Sequence, residues 1–530
     1  MNPLQTELDT NEAGKLPSMA FCSILFKRNG DALKQEVLVQ EQPGCFVDLN
    51  LNQVIDAVTS GKEEYDLKPF FYTSLSDIDA IIYRQEIMQD IENPILFDYI
   101  ETFAKNMRAM RLSLSKAGKC SYKYEKERLF LDSLENYCDT INSLSYNLLP
   151  VNLKSPGFLS FQEYLKSYIQ SNQFTSLLAE TKKLISGLSD VKYSIHTKEL
   201  RVQVRPYNSE ADYSEEVDHI FEKFKQEPVK DYRTKFENFP EMNHVEAAIL
   251  EGVATLYPEL FKNLDDYCAK NTNYLDETIS LFDREIQFYI AWLGYIAKLK
   301  KAGLKFCYPE ISNKSKDVYD YEGFDVALAY KLVKENSPIV CNDFCMAGKE
   351  RIIIVSGPNQ GGKTTFARTF GQLHYLANTG CSVPGREAKL FLFDKLLTHF
   401  EKEENIENHR SKFEDDLFRI HDILNQATPY SIIIMNEILS STTLQDSIFL
   451  SKKIMEKIDR MDVLCVWVTF IDELIQLSEK TVSMVSTIVP ENPAMRTFKV
   501  IKKPANGLAY ALSIAEKYKV TYQHLKERIQ

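Results

Sequence analysis

The chain has 530 residues, of which 44% are hydrophobic and 26% charged, and a formal net charge of −12. This mix excludes a disordered or fibrous chain, and the length corresponds to roughly three or four domains. With 63 basic against 75 acidic residues, the protein is not basic over its whole surface, although a local basic patch is still allowed.

Only 19 Gly and 19 Pro favour long helices over a turn-rich β architecture. No apolar run reaches the roughly 18 residues of a membrane span, so no membrane partner is expected. The start, Met-Asn-Pro-Leu-Gln-Thr, lacks the basic-then-apolar order of a secretory signal. The 10 Cys form no CxxC pair, so reduced thiols and a cytoplasmic location are expected, and structural zinc is not.

Residues 1–65 read as a mixed α/β segment. Met19–Phe26 and Glu36–Val39 carry strand-type residues, and Asp48–Val58 reads as a helix capped by Asp48. Residues 66–190 are helical in pattern. Ile78, Ile81, Ile82 and Ile87 recur at helix spacing, and Ile95–Leu114, Tyr124–Leu149 and Phe158–Leu188 form three long stretches divided near Pro150 and Pro156. Residues 191–240 read as a small insertion. Strands Val191–His196 and Glu199–Val204 flank a turn at Thr197-Lys198, and a charged helix, Ser214–Lys225, follows. Over 241–335, Met242–Lys270 and Leu275–Lys300 return as two long amphipathic helices. Helices that leave a core, carry a small β tip and return form a lever.

From 336 to 530 strands alternate with helices. Arg351–Ser356, Ser431–Met435 and Val463–Thr469 are apolar on both faces, the pattern of a parallel or mostly parallel sheet. The expected fold class is therefore α + α/β, with a helical core and lever region followed by a sheet domain. No internal repeat is present.

The sharpest motif is Gly357, Pro358, Asn359, Gln360, Gly361, Gly362, Lys363, Thr364 and Thr365, which fits G-x-x-x-x-G-K-[ST]. A strand (Ile352–Val355) precedes it and a helix (Thr365–Ala377) follows, so successive backbone N–H groups and a helix start face one anion. Lys363 reaches the β- and γ-phosphates of ATP, and the Thr364 hydroxyl ligates Mg²⁺. The strand at 431–435 ends in Asn436-Glu437. In phosphate-loop ATPases such a strand ends in an Asp that helps hold Mg²⁺ and a Glu that activates water. Glu437 is the candidate base here, and Asn436 stands where the Asp is expected. Ser-x-x-Glu at 411–414 precedes a helical series (Phe413, Leu417, Ile420, Leu424) and reads as a capping box. Lys223, Lys225 and Lys230, interleaved with Phe221 and Phe224, are candidates for DNA phosphate contact, diluted by Glu215, Glu216, Glu222 and Glu227.

Together these residues resemble the MutS-type ATPases. Gly357–Thr365 is close to that family's Gly-Pro-Asn-Met-Gly-Gly-Lys-Ser-Thr, and Leu376–Pro384 is similar to its Leu-Ala-x-x-Gly-x-x-Val-Pro. Ser411–Leu417 resembles Ser-Thr-Phe-x-x-Glu-Met, and Asn436–Asp446 resembles Asp-Glu-x-Gly-Arg-Gly-Thr-Ser-Thr-x-Asp. Phe71–Glu86 is similar to the start of the family's core domain. The resemblance implies core and lever helices at 66–190 and 241–335, a clamp at 191–240 and an ABC-type ATPase at 336–530.

The resemblance also implies a dimer, expected here as a homodimer, in which each ATP is closed in by the partner's signature. Ser411 would then contact the γ-phosphate held by the other subunit. Double-stranded DNA, gripped mostly by its backbone, is the implied partner. Three departures bear on hydrolysis. Asn436 replaces an Asp, Leu439-Ser-Ser441 replaces Gly-Arg-Gly, and Thr469-Phe470 stands where the family has Thr-His, whose His senses the γ-phosphate. Slow hydrolysis is expected, with ATP acting chiefly as a switch. The family's mismatch-reading domain, with its Phe-x-Glu wedge, is not expected. A different reading stays open at this point: an ATP-switched protein-interaction module with little turnover and no DNA role.

Overall fold

The computed structural model describes residues 21–27, 38–199, 201–209, 217, 219–221, 242–401, 411–489, 492–504 and 520–529. The chain divides into two compact units, one of residues 1–21, 94–152 and 159–283, the other of residues 22–93, 153–158 and 284–530.

The first unit is built on two 26-residue helices, Pro94–Lys119 and Lys123–Leu148. Phe103, Leu131, Leu134, Tyr137 and Ile141 recur at helical spacing and are buried. The rings of Phe161 and Phe282 stack at 3.5 Å, and Phe21 meets Phe282 edge-on at 6.2 Å.

Two long stretches expected from periodicity are each broken in two. Residues 158–188 form Pro156–Ile169 and Asn172–Ser189, because Ser171 caps the second helix by accepting from the Phe174 N–H at 3.2 Å. Residues 242–270 form His244–Leu256 and Pro258–Lys270. Pro258 has no N–H to continue the first helix and serves as the first residue of the second.

The expected hairpin exists, but its strands are Tyr193–Lys198 and Arg201–Pro206. Lys198 pairs with Arg201, so the turn lies two residues later than Thr197-Lys198, with Glu199 in the left-handed region at φ 56°. Most of the expected helix at 214–225 lies outside the described residues.

The second unit contains a six-stranded sheet in the order Leu396–His399, Ile432–Asn436, Leu464–Val468, Ile352–Ser356, Thr481–Val489 and Asn492–Lys502. All neighbouring strands are parallel except the last pair. Ile432–Asn436, Leu464–Val468 and Ile352–Ser356 are buried along their whole length, as their apolar runs require. One face packs Ile354, Met435 and Trp467 against Ile420, Ile423, Met455 and Ile458 of the helices Lys412–Gln426 and Leu444–Met461.

On Ile434 lies the helix Lys363–Asn378, close enough that a Cβ at Gly371 would come 2.8 Å from Ile434 Cδ1. That helix also buries His374 completely. Its Nδ1 bonds the Phe370 carbonyl at 2.8 Å, and burial pushes its pKa down to about 4, so the ring stays neutral at physiological pH.

Two expectations for the N-terminal segment are corrected. Residues 21–27 form no strand. Glu285 instead accepts from Ser23 Oγ and the Ile24 N–H, both at 2.8 Å. Asp48 does not cap the helix that follows, which spans Leu51–Thr59. It ends a separate turn, Cys45–Asp48, where its carboxylate accepts from Thr398 Oγ1 at 2.7 Å and its carbonyl from Arg368 Nε at 2.9 Å. These long-range bonds outweigh the local cap.

A four-stranded sheet orders Glu310–Ser312, Glu387–Phe391, Val318–Gly323 and Asn342–Met346. Asp320 is fully buried in it, and among the described residues neither carboxyl oxygen has a hydrogen-bond partner. Burial first, then Asp343 and Glu322, push its pKa up to about 8. Below the ordinary Asp pKa the folded and unfolded chains both hold this proton. As pH rises, the unfolded chain releases it first, so stability falls by about 1.4 kcal/mol per pH unit until the folded carboxyl also ionises. Asp320→Asn removes this term. It is expected to raise the melting temperature by a few degrees at pH 7.5 and by clearly less at pH 5; an equal change at both pH values contradicts a protonated Asp320.

Candidate functional site

The strand Ile352–Ser356 ends in the glycine-rich turn, where Gly357 and Gly362 take φ 119° and 90°. Close approach requires glycine here as much as dihedral freedom does. A Cβ at Gly357 would lie 2.9 Å from the Ser486 carbonyl oxygen, and one at Gly361 2.1 Å from Ser486 Oγ. Ser486 Oγ donates to the Gly361 carbonyl at 2.7 Å, and Arg496 Nε to the Asn359 carbonyl at 3.0 Å. The turn is thus pinned from the neighbouring strands. Gly362 then provides no side-chain cap for the helix beginning at Lys363, so the amides of its first turn point toward the loop without a capping side chain.

Lys363 folds into this turn. Its ammonium donates to the Gly357 and Pro358 carbonyls at 3.1 and 3.3 Å and to Asn359 Oδ1 at 3.4 Å. It lies 3.6 Å from a Glu437 carboxylate oxygen and is only 4% exposed. Burial lowers its pKa, and the Glu437 carboxylate opposes that shift. Beside it, Thr364 Oγ1 donates to Asn436 Oδ1 at 2.9 Å.

Strand pairing brings the other candidates in. The Glu437 N–H bonds the Val468 carbonyl at 2.9 Å, and the Thr469 N–H bonds that of Val355 at 3.0 Å. Glu437 and Leu439 both hold left-handed backbone, at φ 50° and 59°. That conformation costs a residue with a Cβ about 1–2 kcal/mol, and Leu439 offsets it by burying its side chain in the core.

One neighbour was not anticipated. The Phe470 ring lies over the Lys363 ammonium, 4.2 Å from ring centroid to Nζ. From the sequence, Phe470 registers only as a missing imidazole. Ser486 and Arg496 carried no sequence signal at all, because the fold alone brings them to the loop.

The loop, Asn436, Glu437 and Phe470 thus converge. Ser411 stands apart at the exposed start of Lys412–Gln426, where its hydroxyl accepts from the Glu414 N–H at 3.3 Å.

The family description MutS domain V matches residues 353–527, a stretch that contains every one of these groups. Over these residues the chain is similar to the MutS family. It is 28% identical over 217 residues to the DNA mismatch repair protein MutS of Orientia tsutsugamushi (strain Boryong), covering 40% of this chain and 24% of that one. The MutS of Zymomonas mobilis is 33% identical over 150 residues, 28% of this chain and 17% of the relative. That of Shouchella clausii is 24% identical over 409 residues, 73% of this chain and 44% of the relative. The chain thus spans less than half the length of these relatives.

A second candidate surface lies on the hairpin. Lys223, Lys225 and Lys230, the sequence candidates for DNA contact, lie outside the described residues. Cross-strand pairing places Ser194, His196, Lys198, Arg201, Gln203 and Arg205 on one face, with Ser194 opposite Arg205, His196 opposite Gln203 and Lys198 opposite Arg201. In the register expected from sequence, Glu199 would have faced His196 and put a carboxylate there. The two-residue shift moves Glu199 into the turn and leaves three basic residues, with no acidic residue among the paired positions of that face. Among the described residues, no helix is long and apolar enough to cross a membrane.

Proposed function

We propose that this chain binds ATP with Mg²⁺ at residues 357–365 and uses it to close a dimeric clamp on double-stranded DNA, with slow hydrolysis. The observation that carries the reading is the Lys363 cradle, an ammonium held at the mouth of a glycine turn that aims helix amides at the same point. Thr364 and Asn436 fit a hard cation, since two oxygens 2.9 Å apart are donors of the type Mg²⁺ takes. The bound cation would neutralise charge on the phosphates. Both donors are neutral, so they attract it less than a carboxylate would. Lys363 holds the terminal phosphates, Glu437 orients and deprotonates water, and Ser411 completes the partner's site.

Three things support slow turnover. Asn436 lacks a charge, Phe470 lacks a polar group, and the Glu437 carboxylate is engaged by Lys363. We assign 66–190 and 241–335 to core and lever, 191–240 to the clamp and 336–530 to the ATPase. The relatives are named for DNA mismatch repair, and the basic hairpin face supports a DNA role here, through phosphates rather than bases.

Fluorescence titration of duplex DNA at two salt concentrations, with and without an ATP analogue, tests this reading. Reversing Lys198, Arg201 and Arg205 to Glu is expected to weaken binding at least about tenfold and to flatten the dependence of log affinity on log salt by roughly two to three units. Equal affinity and slope in parent and variant would remove this face from DNA contact.

A further inference from the structure

The strand Asn492–Lys502 does not pair evenly with Thr481–Val489. Val500 lies opposite Ser486 and Arg496 opposite Ile488, so over this stretch one strand advances four residues while its partner advances two. In an even register Arg496 would fall past Val489, where the partner strand ends. The bulge draws it back by two residues, roughly 7 Å, toward Ser486, which bonds the loop. The bulge is held from both sides. Asn342 donates to the Phe498 carbonyl at 3.1 Å and accepts from the Val500 N–H at 2.8 Å. Thr497 Oγ1 donates to the Thr487 carbonyl at 3.0 Å, and Thr487 Oγ1 to that of Lys499 at 3.1 Å. Phe498 between them takes left-handed backbone at φ 58°, which a residue with a Cβ adopts only at a cost.

This bulge delivers a guanidinium to the loop. Arg496 Nε donates to the Asn359 carbonyl at 3.0 Å, while the Lys363 ammonium donates to Asn359 Oδ1 at 3.4 Å. Two cations thus meet on one loop residue. Burial is the main cause of the low Lys363 pKa, and the Arg496 charge adds to it, as a like charge nearby must. Glu437 offsets part of this positive charge. Helix amides and two gathered cations suit a ligand with several negative charges, and a guanidinium fork matches phosphate oxygens.

We infer that Arg496 is a phosphate-binding residue, the second cation after Lys363 to hold the polyphosphate of the nucleotide. The inference rests on the nucleotide reading above. Thr364 and Asn436 are both neutral toward Mg²⁺, and a permanent charge on the neighbouring strand offsets part of what that metal site lacks. A residue that only pins the loop needs the hydrogen bond to Asn359, whereas a phosphate-binding residue needs the charge. Gln separates the two, because its Nε2 stands as many bonds from Cβ as the Nε of Arg does.

The test is calorimetric titration of the full chain with the β,γ-imido analogue of ATP and Mg²⁺, at a low and a moderate salt concentration, on the parent, Arg496→Gln and Arg496→Lys. Arg496 is partly exposed, so both variants are expected to fold. Arg496→Gln is expected to bind about tenfold more weakly at low salt, the loss of one charge-assisted bond, and to lose affinity less steeply than the parent as salt rises. Arg496→Lys keeps the charge and should keep the salt dependence of the parent.

If Arg496→Gln matches the parent in affinity and salt dependence, or if both variants weaken with the salt dependence unchanged, Arg496 only pins the loop and its role is overturned, while the loop remains the binding site. A parent that binds no nucleotide overturns both readings.

Discussion

Lys363→Ala is expected to lower nucleotide affinity at least about a hundredfold while leaving a folded protein. A charged hydrogen bond to phosphate is roughly twice as strong as a neutral one, and this ammonium is already desolvated and held by loop carbonyls, so little ordering remains when the ligand arrives. Removing it also leaves Glu437 without its nearby cation, which adds repulsion against the incoming phosphates. Calorimetric titration gives the affinity, and circular dichroism melting checks the fold. Because burial lowers the Lys363 pKa below that of an ordinary lysine, the charge is lost at lower pH than on a surface lysine. Binding should therefore weaken as pH rises toward the alkaline range, starting below the usual lysine pKa. Parent-like affinity in Lys363→Ala would contradict this assignment.

Glu437→Gln is expected to cut phosphate release about a hundredfold or more, the usual range for loss of a general base. Nucleotide affinity should stay within about threefold of the parent, since the amide keeps the side chain's shape and its position after the Ile432–Asn436 strand. Asn436→Asp acts in the opposite direction. It restores a carboxylate next to Thr364 Oγ1, strengthens the hold on Mg²⁺ and is expected to raise turnover several-fold. Single-turnover phosphate release with all three proteins separates the effects. If Glu437→Gln turns over as the parent does, Glu437 is not the base. If parent turnover is fast and Asn436→Asp changes nothing, the weakened magnesium site is not what limits the rate.

The loop and the strands around it could be read from the chain because their signals are local. Ile352–Ser356, Ile432–Asn436 and Leu464–Val468 are apolar on both faces, and the glycines of 357–362 are required by backbone conformation and by the nearness of Ser486. Periodicity also located the long helices, but it could not show where Ser171 and Pro258 interrupt them, since the apolar stripe continues across both breaks.

The misses depend on distant partners. Asp48 looks like a cap until Thr398 and Arg368 are brought beside it. The hairpin register was set by the position of Glu199 in the turn, and that shift determines which charges share a face. Phe470 over Lys363 joins residues more than a hundred positions apart, through parallel strands whose order the chain does not announce.

The central claim is that a triphosphate held by residues 357–365 is sealed by a second copy of the chain. Light scattering of the purified chain with Mg²⁺, with and without saturating β,γ-imido ATP, tests it most directly. The account predicts that the analogue moves the mass from that of one 61.2 kDa chain to twice that value, and that the shift is lost in Lys363→Ala. A chain that binds the analogue yet keeps the same mass would contradict it.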